Sequence, residues 1–109
     1  MVADMVEQLE RGSAQRVIGR LATAWERGDL AEIGAYERWC DCVASDDDRA
    51  QLRRLNDDRN PALADGIEAL HRSGRSVFAA VGALHMTGDK ALPALLAQRG
   101  FIVQRVALQ

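Results

Sequence analysis

The chain has 109 residues and a formal net charge of −2, with 48% hydrophobic but only 5% aromatic residues. This length predicts one domain with a modest, aliphatic core. The charge balance disfavours nucleic-acid binding, which needs a basic face, and no apolar run reaches the roughly 18–20 residues that cross a bilayer.

The amino-terminal stretch MVADMVEQLERG carries early acidic residues and no apolar signal core. It predicts no signal peptide in this chain, and the sequence does not indicate a cellular compartment. Residues 1–73 are predicted to be helical because apolar residues recur at helical spacing, with an interruption at Gly12-Ser13. Gly28 is expected to end a helix and Asp29 to cap the next one.

Ser45 precedes three consecutive aspartates, a pattern typical of a helix start with acidic residues in the first turn. The competing interpretation is a metal-binding acidic cluster. Consecutive residues fan around a helix and converge poorly on one ion, so capping is the favoured interpretation.

The two cysteines, Cys40 and Cys42, lie in WCDC and are too few for a disulfide framework. Residues two apart on a helix point about 200° away from each other, so a mutual disulfide would be strained if this stretch were helical. The favoured interpretation is two partly buried free thiols. A disulfide to another segment or chain, and a metal-binding role, are the alternatives.

A sharper helix start is Asn60-Pro61, where the asparagine side chain is expected to cap backbone N–H groups and proline tolerates the first turn. Gly74 is expected to close this helix. His71 lies near its end, where a cation is favoured by the helix dipole. Arg59 is interpreted either as a surface residue or as an anion or carboxylate clamp.

After Gly74 the pattern changes. The apolar run SVFAAVG (76–82) and the run FIVQRVAL (101–108) predict strands, and 90–99 predicts a helix between them. The predicted fold is therefore a single α/β domain over 1–109, with helical segments at 1–73 and a βαβ unit with parallel strands at 74–109. Two strands do not make a stable sheet, so further strands are expected from a longer parent chain or a second copy.

Ligands bind at the carboxyl ends of parallel strands, and His85 follows the first predicted strand by three residues. Gly82 is expected to let the backbone leave the strand, and Gly88 to close the turn. Imidazole is a common metal ligand and general base. His85 is therefore a candidate catalytic residue or metal ligand, and the alternative is a loop histidine held by local hydrogen bonds.

Four ordered stretches carry a resemblance to a known family: WERGDL (25–30), RNPALADGI (59–67), FAAVGALHMTG (78–88) and LLAQRGFIV (95–103). Together they resemble the C-terminal portion of the TraB/GumN family, which is related to the Tiki proteases and more distantly to ChaN-like and erythromycin-esterase proteins. The most specific element is the set Arg-Asn, V-G-x-x-H-x-x-G and a leucine-rich helix ending in Arg-Gly.

The resemblance implies an α/β fold of two related halves, each with a GxxH motif, and a metal-dependent, protease-like hydrolase activity. It makes His85 a metal ligand or active-site histidine, with Arg59 and Asn60 lining the same site and Gly82 and Gly88 shaping it around a divalent ion such as Zn, Mn or Co. This chain has a single GxxH motif and so supplies one histidine of such a site. Catalytic zinc usually has three protein ligands.

Two functions are therefore expected as alternatives. In the first, the chain is a C-terminal segment or truncated family member that contributes half of a metal-dependent site and is inactive alone. The missing half would come from a longer parent or from a second copy in a homodimer. In the second, it is a non-enzymatic module that self-associates or binds a protein partner.

Overall fold

A computed structural model describes residues 2–107, and within that range every regular element is helical. The α-helices are α1 (Val2–Glu10), α2 (Ser13–Arg27), α3 (Leu30–Gly34), α4 (Tyr36–Trp39), α5 (Asp46–Leu55), α6 (Asn60–Arg72) and α7 (Leu92–Gln98), and two short 3-10 turns span Asp57–Arg59 and Ala83–Met86. None of these helices is both long enough and apolar enough to span a membrane.

The helix ends in the first half follow the sequence signals. Gly28 adopts a left-handed conformation (φ 67°) at the end of α2, as expected for glycine in that position. The Asp29 side chain then accepts a hydrogen bond from the backbone N–H of Glu32 at 3.0 Å, which confirms it as the cap of α3. The apolar residues of α1 remain exposed, with Leu9 68% and Met5 58% accessible.

The start of α5 is a complete capping box. The Ser45 hydroxyl accepts from the backbone N–H of Asp48 at 3.1 Å, and the Asp48 carboxylate accepts from the N–H groups of Ala44 and Ser45. These bonds, the one from Ala44 foremost, lower the pKa of Asp48. The capping interpretation of the acidic stretch is confirmed.

The helices α6 and α7 pack together and position the C-terminal part of the chain. Ala64 is fully buried and Leu92 is 3% exposed in their contact. At the other end of α7, the Arg99 guanidinium donates to Asp65 at 2.6 Å and to Glu68 at 3.0 Å, both on α6. This ion cluster connects the end of α7 to α6.

The predicted βαβ unit is wrong. Its central helix is present as α7, with Pro93 in the first turn, but residues 76–82 and 101–107 form no strand. The last residue of the second predicted strand, at position 108, lies outside the described residues. Phe78 and Ile102 are each 95% exposed. A strand exists only through hydrogen bonds to a neighbour, and these two runs do not pair within residues 2–107.

The expectation of free thiols is also wrong, because Cys40 and Cys42 form a disulfide with each other. Strain in a mutual disulfide is expected only if a helix continues through this stretch. Instead α4 ends at Trp39, Cys40 has extended backbone (φ −77°, ψ 123°), and the N–H of Val43 bonds to the Cys40 carbonyl in a tight turn. The two Cα atoms are thereby brought to 5.1 Å, within bonding range.

Candidate functional site at the His85 turn

The turn Ala83–Met86 carries His85 and lies between the irregular run that ends at Gly82 and the start of α7. The backbone N–H of His85 donates to the Gly82 carbonyl at 3.0 Å, which closes the 3-10 turn. His85 is partly buried against α6. The turn is thus held locally by backbone bonds, and its position relative to the helices depends on side chains.

The decisive contact is made by Asn60, whose side chain is completely buried at the start of α6. Its Nδ2 donates to the Lys90 carbonyl at 2.7 Å, and its Oδ1 lies 2.6 Å from Nδ1 of His85. Asn60 itself has helical backbone (φ −60°, ψ −40°) and so does not cap α6. The predicted capping role is wrong, because the side chain bonds to the His85 turn instead.

These bonds assign the histidine tautomer. A carbonyl oxygen only accepts, so the bond to Lys90 requires the amide nitrogen of Asn60 on that side and its oxygen on the other. The oxygen in turn requires a proton on Nδ1 of His85. In the neutral ring Nε2 is then left with its lone pair, which is the form that binds a metal or accepts a proton.

A second asparagine, not singled out from the sequence, holds the same turn. Asn56, between α5 and the 3-10 turn Asp57–Arg59, donates from Nδ2 to the Leu84 carbonyl at 3.0 Å, and the Thr87 hydroxyl donates to that carbonyl at 3.3 Å. Asn56 and Asn60, here called the asparagine clamp, are four residues apart in RRLNDDRN. That spacing, two amides on neighbouring turns of a helical stretch, is the signal that could have revealed Asn56.

The other candidate residues contribute unequally. Arg59 is exposed on the turn preceding α6, and within the described part of the chain no hydrogen bond or ion pair joins it to His85. Gly88 has φ +90°, a conformation that favours glycine, whereas Gly82 has φ −60°, open to any residue. A Cβ on Gly82 would lie 3.8 Å from the His85 ring, an ordinary contact. Gly88 thus shapes the turn as expected, but Gly82 is not needed for it.

Two cavities bear on the question of a binding site, and neither is lined by His85. One of about 160 Å³ lies beside the turn, with Asn56, Leu84 and Thr87 in its wall. A larger one, of about 840 Å³, lies between α1 and residues 41–55. Among residues 2–107 no group of three or more His, Cys, Asp or Glu side chains is placed to hold an ion. What this region offers a ligand is therefore the oriented imidazole itself.

A family model described as the TraB/PrgY/gumN family matches residues 1–105. The chain belongs to the TraB/PrgY/gumN family. The matched range includes the clamp and the His85 turn. No curated protein and no solved structure shows significant similarity to the chain.

The two glycines of the turn provide a matched pair of substitutions. Gly88→Ala is expected to lower the free energy of unfolding by about 1–2 kcal/mol, because a side chain is disfavoured at positive φ. Gly82→Ala should change it by less than about 0.5 kcal/mol. Chemical denaturation of both variants measures the difference. Equal losses of unfolding free energy would contradict the conclusion that Gly88, and not Gly82, requires glycine.

Removing the buried amide should be more costly. Asn60→Ala leaves the Lys90 carbonyl and the His85 ring without their partner, so we expect a loss of about 2–3 kcal/mol in the free energy of unfolding. The control Gln15→Ala removes an exposed amide from α2 and should stay within about 0.5 kcal/mol. Denaturant titration checks both, and a loss for Asn60→Ala no larger than the control's would contradict the clamp.

Proposed function

We propose that this TraB/PrgY/gumN chain is a C-terminal segment or truncated member of the family fold and contributes His85 to a metal-dependent, protease-like hydrolase site. The observation that carries the proposal is the 2.6 Å contact between Asn60 Oδ1 and His85 Nδ1. A metal-binding histidine typically donates its other ring N–H to an oxygen acceptor, which fixes the ring and its tautomer. Asn60 supplies that acceptor.

The residues of the turn would have distinct tasks in this site. His85 would offer Nε2 to a divalent ion such as Zn, Mn or Co, and the asparagine clamp would hold the ring in place. Arg59, exposed and next to Asn60, would pair with a substrate carboxylate or another anion. Gly88 would let the backbone turn closely beside the imidazole, and Gly82 would begin the turn through its carbonyl, which accepts from the backbone N–H of His85. The bound ion would supply Lewis acidity and an activated water.

One histidine is fewer than the three protein ligands usual for catalytic zinc. We therefore propose that the remaining ligands come from a second GxxH half, in a longer parent or in a second copy of the chain. On this proposal the isolated monomer is inactive, and the homodimer or the parent is the metal-binding species.

The two histidines of the chain allow a matched test of metal binding. Zinc, manganese and cobalt are titrated calorimetrically into the chain at concentrations where it dimerises, with light scattering reporting its size. His85→Ala removes the proposed metal ligand and should weaken metal binding at least about tenfold. Loss of a group that only hydrogen-bonds to a metal ligand already costs about that much. His71→Ala, which alters an exposed histidine on the last turn of α6, should leave affinity within about twofold. Equal effects of the two variants, or no binding that depends on His85, would contradict the proposal.

A non-enzymatic interaction module is the second candidate, and a specific observation favours it. Phe78, Ile102 and Val106 are 86–95% exposed in the irregular runs, and apolar side chains of this kind would be covered in an interface with a partner. The same scattering experiment distinguishes the two functions. A concentration-dependent dimer that is unaffected by a chelator and by His85→Ala, without metal binding, would favour the module over the metal site.

A further inference from the structure

The Cys40–Cys42 disulfide is poorly placed to act as a structural staple. Both cysteines lie in the same connection between α4 and α5, separated by Asp41 alone. A disulfide stabilises mainly by restricting the unfolded chain, and this effect decreases as the closed loop becomes shorter. The bond lies within one connection and links no two helices to each other. Its stabilising effect is therefore small, and its exchange chemistry is the feature of interest.

The two sulfur atoms lie in different surroundings. Cys40 is 4% exposed, and its Sγ accepts from the backbone N–H of Cys42 at 3.3 Å. Cys42 is partly exposed and lines the 840 Å³ cavity between α1 and residues 41–55. A thiolate arriving from solvent through that cavity meets Cys42 first, and access is one of the factors that decide which sulfur is attacked.

Each sulfur also has a hydrogen-bond donor in place. The Tyr36 hydroxyl lies 3.1 Å from Sγ of Cys42 and, like that sulfur, it lines the cavity. Burial, with a smaller contribution from the Asp41 charge, raises the pKa of Tyr36, so the phenol keeps its proton and donates. Thiolates formed at Cys40 and Cys42 would thus be stabilised by the Cys42 N–H and the Tyr36 O–H respectively.

We propose that Cys40 and Cys42 form a thiol–disulfide exchange site, entered at Cys42, whose substrates are small thiols and dithiols. One thiolate of a dithiol attacks Sγ of Cys42; a new S–S bond forms, the Cys40–Cys42 bond breaks, and Cys40 leaves as a thiolate. The second thiolate of the dithiol attacks its own first sulfur and releases the thiolate of Cys42. The dithiol is oxidised by two electrons, the protein disulfide is reduced, and two protons end on the cysteines. The reverse sequence reduces the disulfide of the small molecule to a dithiol and re-forms the Cys40–Cys42 bond.

This site is independent of the metal-dependent function proposed for His85. It involves neither the asparagine clamp nor a bound ion. If experiments showed that one of these two functions is absent, the proposal for the other would be unaffected.

The rate of reduction in the folded chain is the first test. The chain is treated with dithiothreitol without denaturant, quenched in acid, alkylated in denaturant with iodoacetamide and weighed by mass spectrometry. We expect two alkyl groups to appear together, at a rate at least tenfold above the global unfolding rate, which is obtained by transferring the folded chain into denaturant and extrapolating to water. Reduction that is no faster than unfolding would overturn the proposal, as would two free thiols persisting in oxidised glutathione.

The site of attack is the second test, and it uses the unsubstituted chain. Glutathione is a monothiol and leaves a mixed disulfide, which peptide mass spectrometry locates. Glutathione on Cys42 supports the proposal, and glutathione on Cys40 or equally on both overturns it.

A third test concerns the donor to Cys42. Tyr36→Phe removes the hydroxyl next to Sγ of Cys42, so it should slow the second step with dithiothreitol, in which the thiolate of Cys42 is released, about 3- to 10-fold. The control Trp25→Phe, at an exposed aromatic on α2, should leave the rate of that step within twofold. Equal rates for the two variants would overturn the role of Tyr36.

Discussion

The organisation of the His85 region depends on one buried amide. Asn60 is completely excluded from solvent, and a buried amide that lacked partners would cost a large part of the stability of a domain this small. It meets this requirement by bonding to the Lys90 carbonyl on one side and to His85 on the other. The same two bonds tie the start of α6 to both ends of the segment 85–90. Stability and the orientation of the imidazole are therefore consequences of one constraint.

Much of the helical framework was predictable because its signals are local. Gly28 and Gly74 take the left-handed conformation at the ends of α2 and α6, and Ser45 caps α5, each as expected from a few neighbouring residues. His85 and Asn60 were also identified as candidates, but the role given to Asn60 was wrong. Sequence spacing shows that an asparagine can cap a helix; it does not show that a carbonyl 30 residues away competes for the same amide.

The errors concern features that depend on distant or absent neighbours. The run 76–82 has the composition of a buried strand, yet strand formation needs a partner, and Phe78 lies 95% exposed. The cysteines were misjudged because the helix was extended past Trp39, when the backbone in fact turns there. Asn56 was missed since its bond to the Leu84 carbonyl spans 28 residues. The strand and the Asn56 contact depend on tertiary partners that a local pattern does not reveal, whereas the cysteine error is a local exception, because α4 ends earlier than its pattern indicates.

Asn60 fixes the proton of His85 on Nδ1 and so leaves Nε2 for a ligand. Long-range proton–nitrogen NMR of the ¹⁵N-labelled chain, at a pH where His85 is neutral, measures this directly, and His71→Ala removes the other ring from the spectrum. We expect a protonated Nδ1 and an unprotonated Nε2 in His85, with this preference lost in Asn60→Ala. A proton on Nε2, or an even mixture of the two tautomers in the unsubstituted chain, would contradict it.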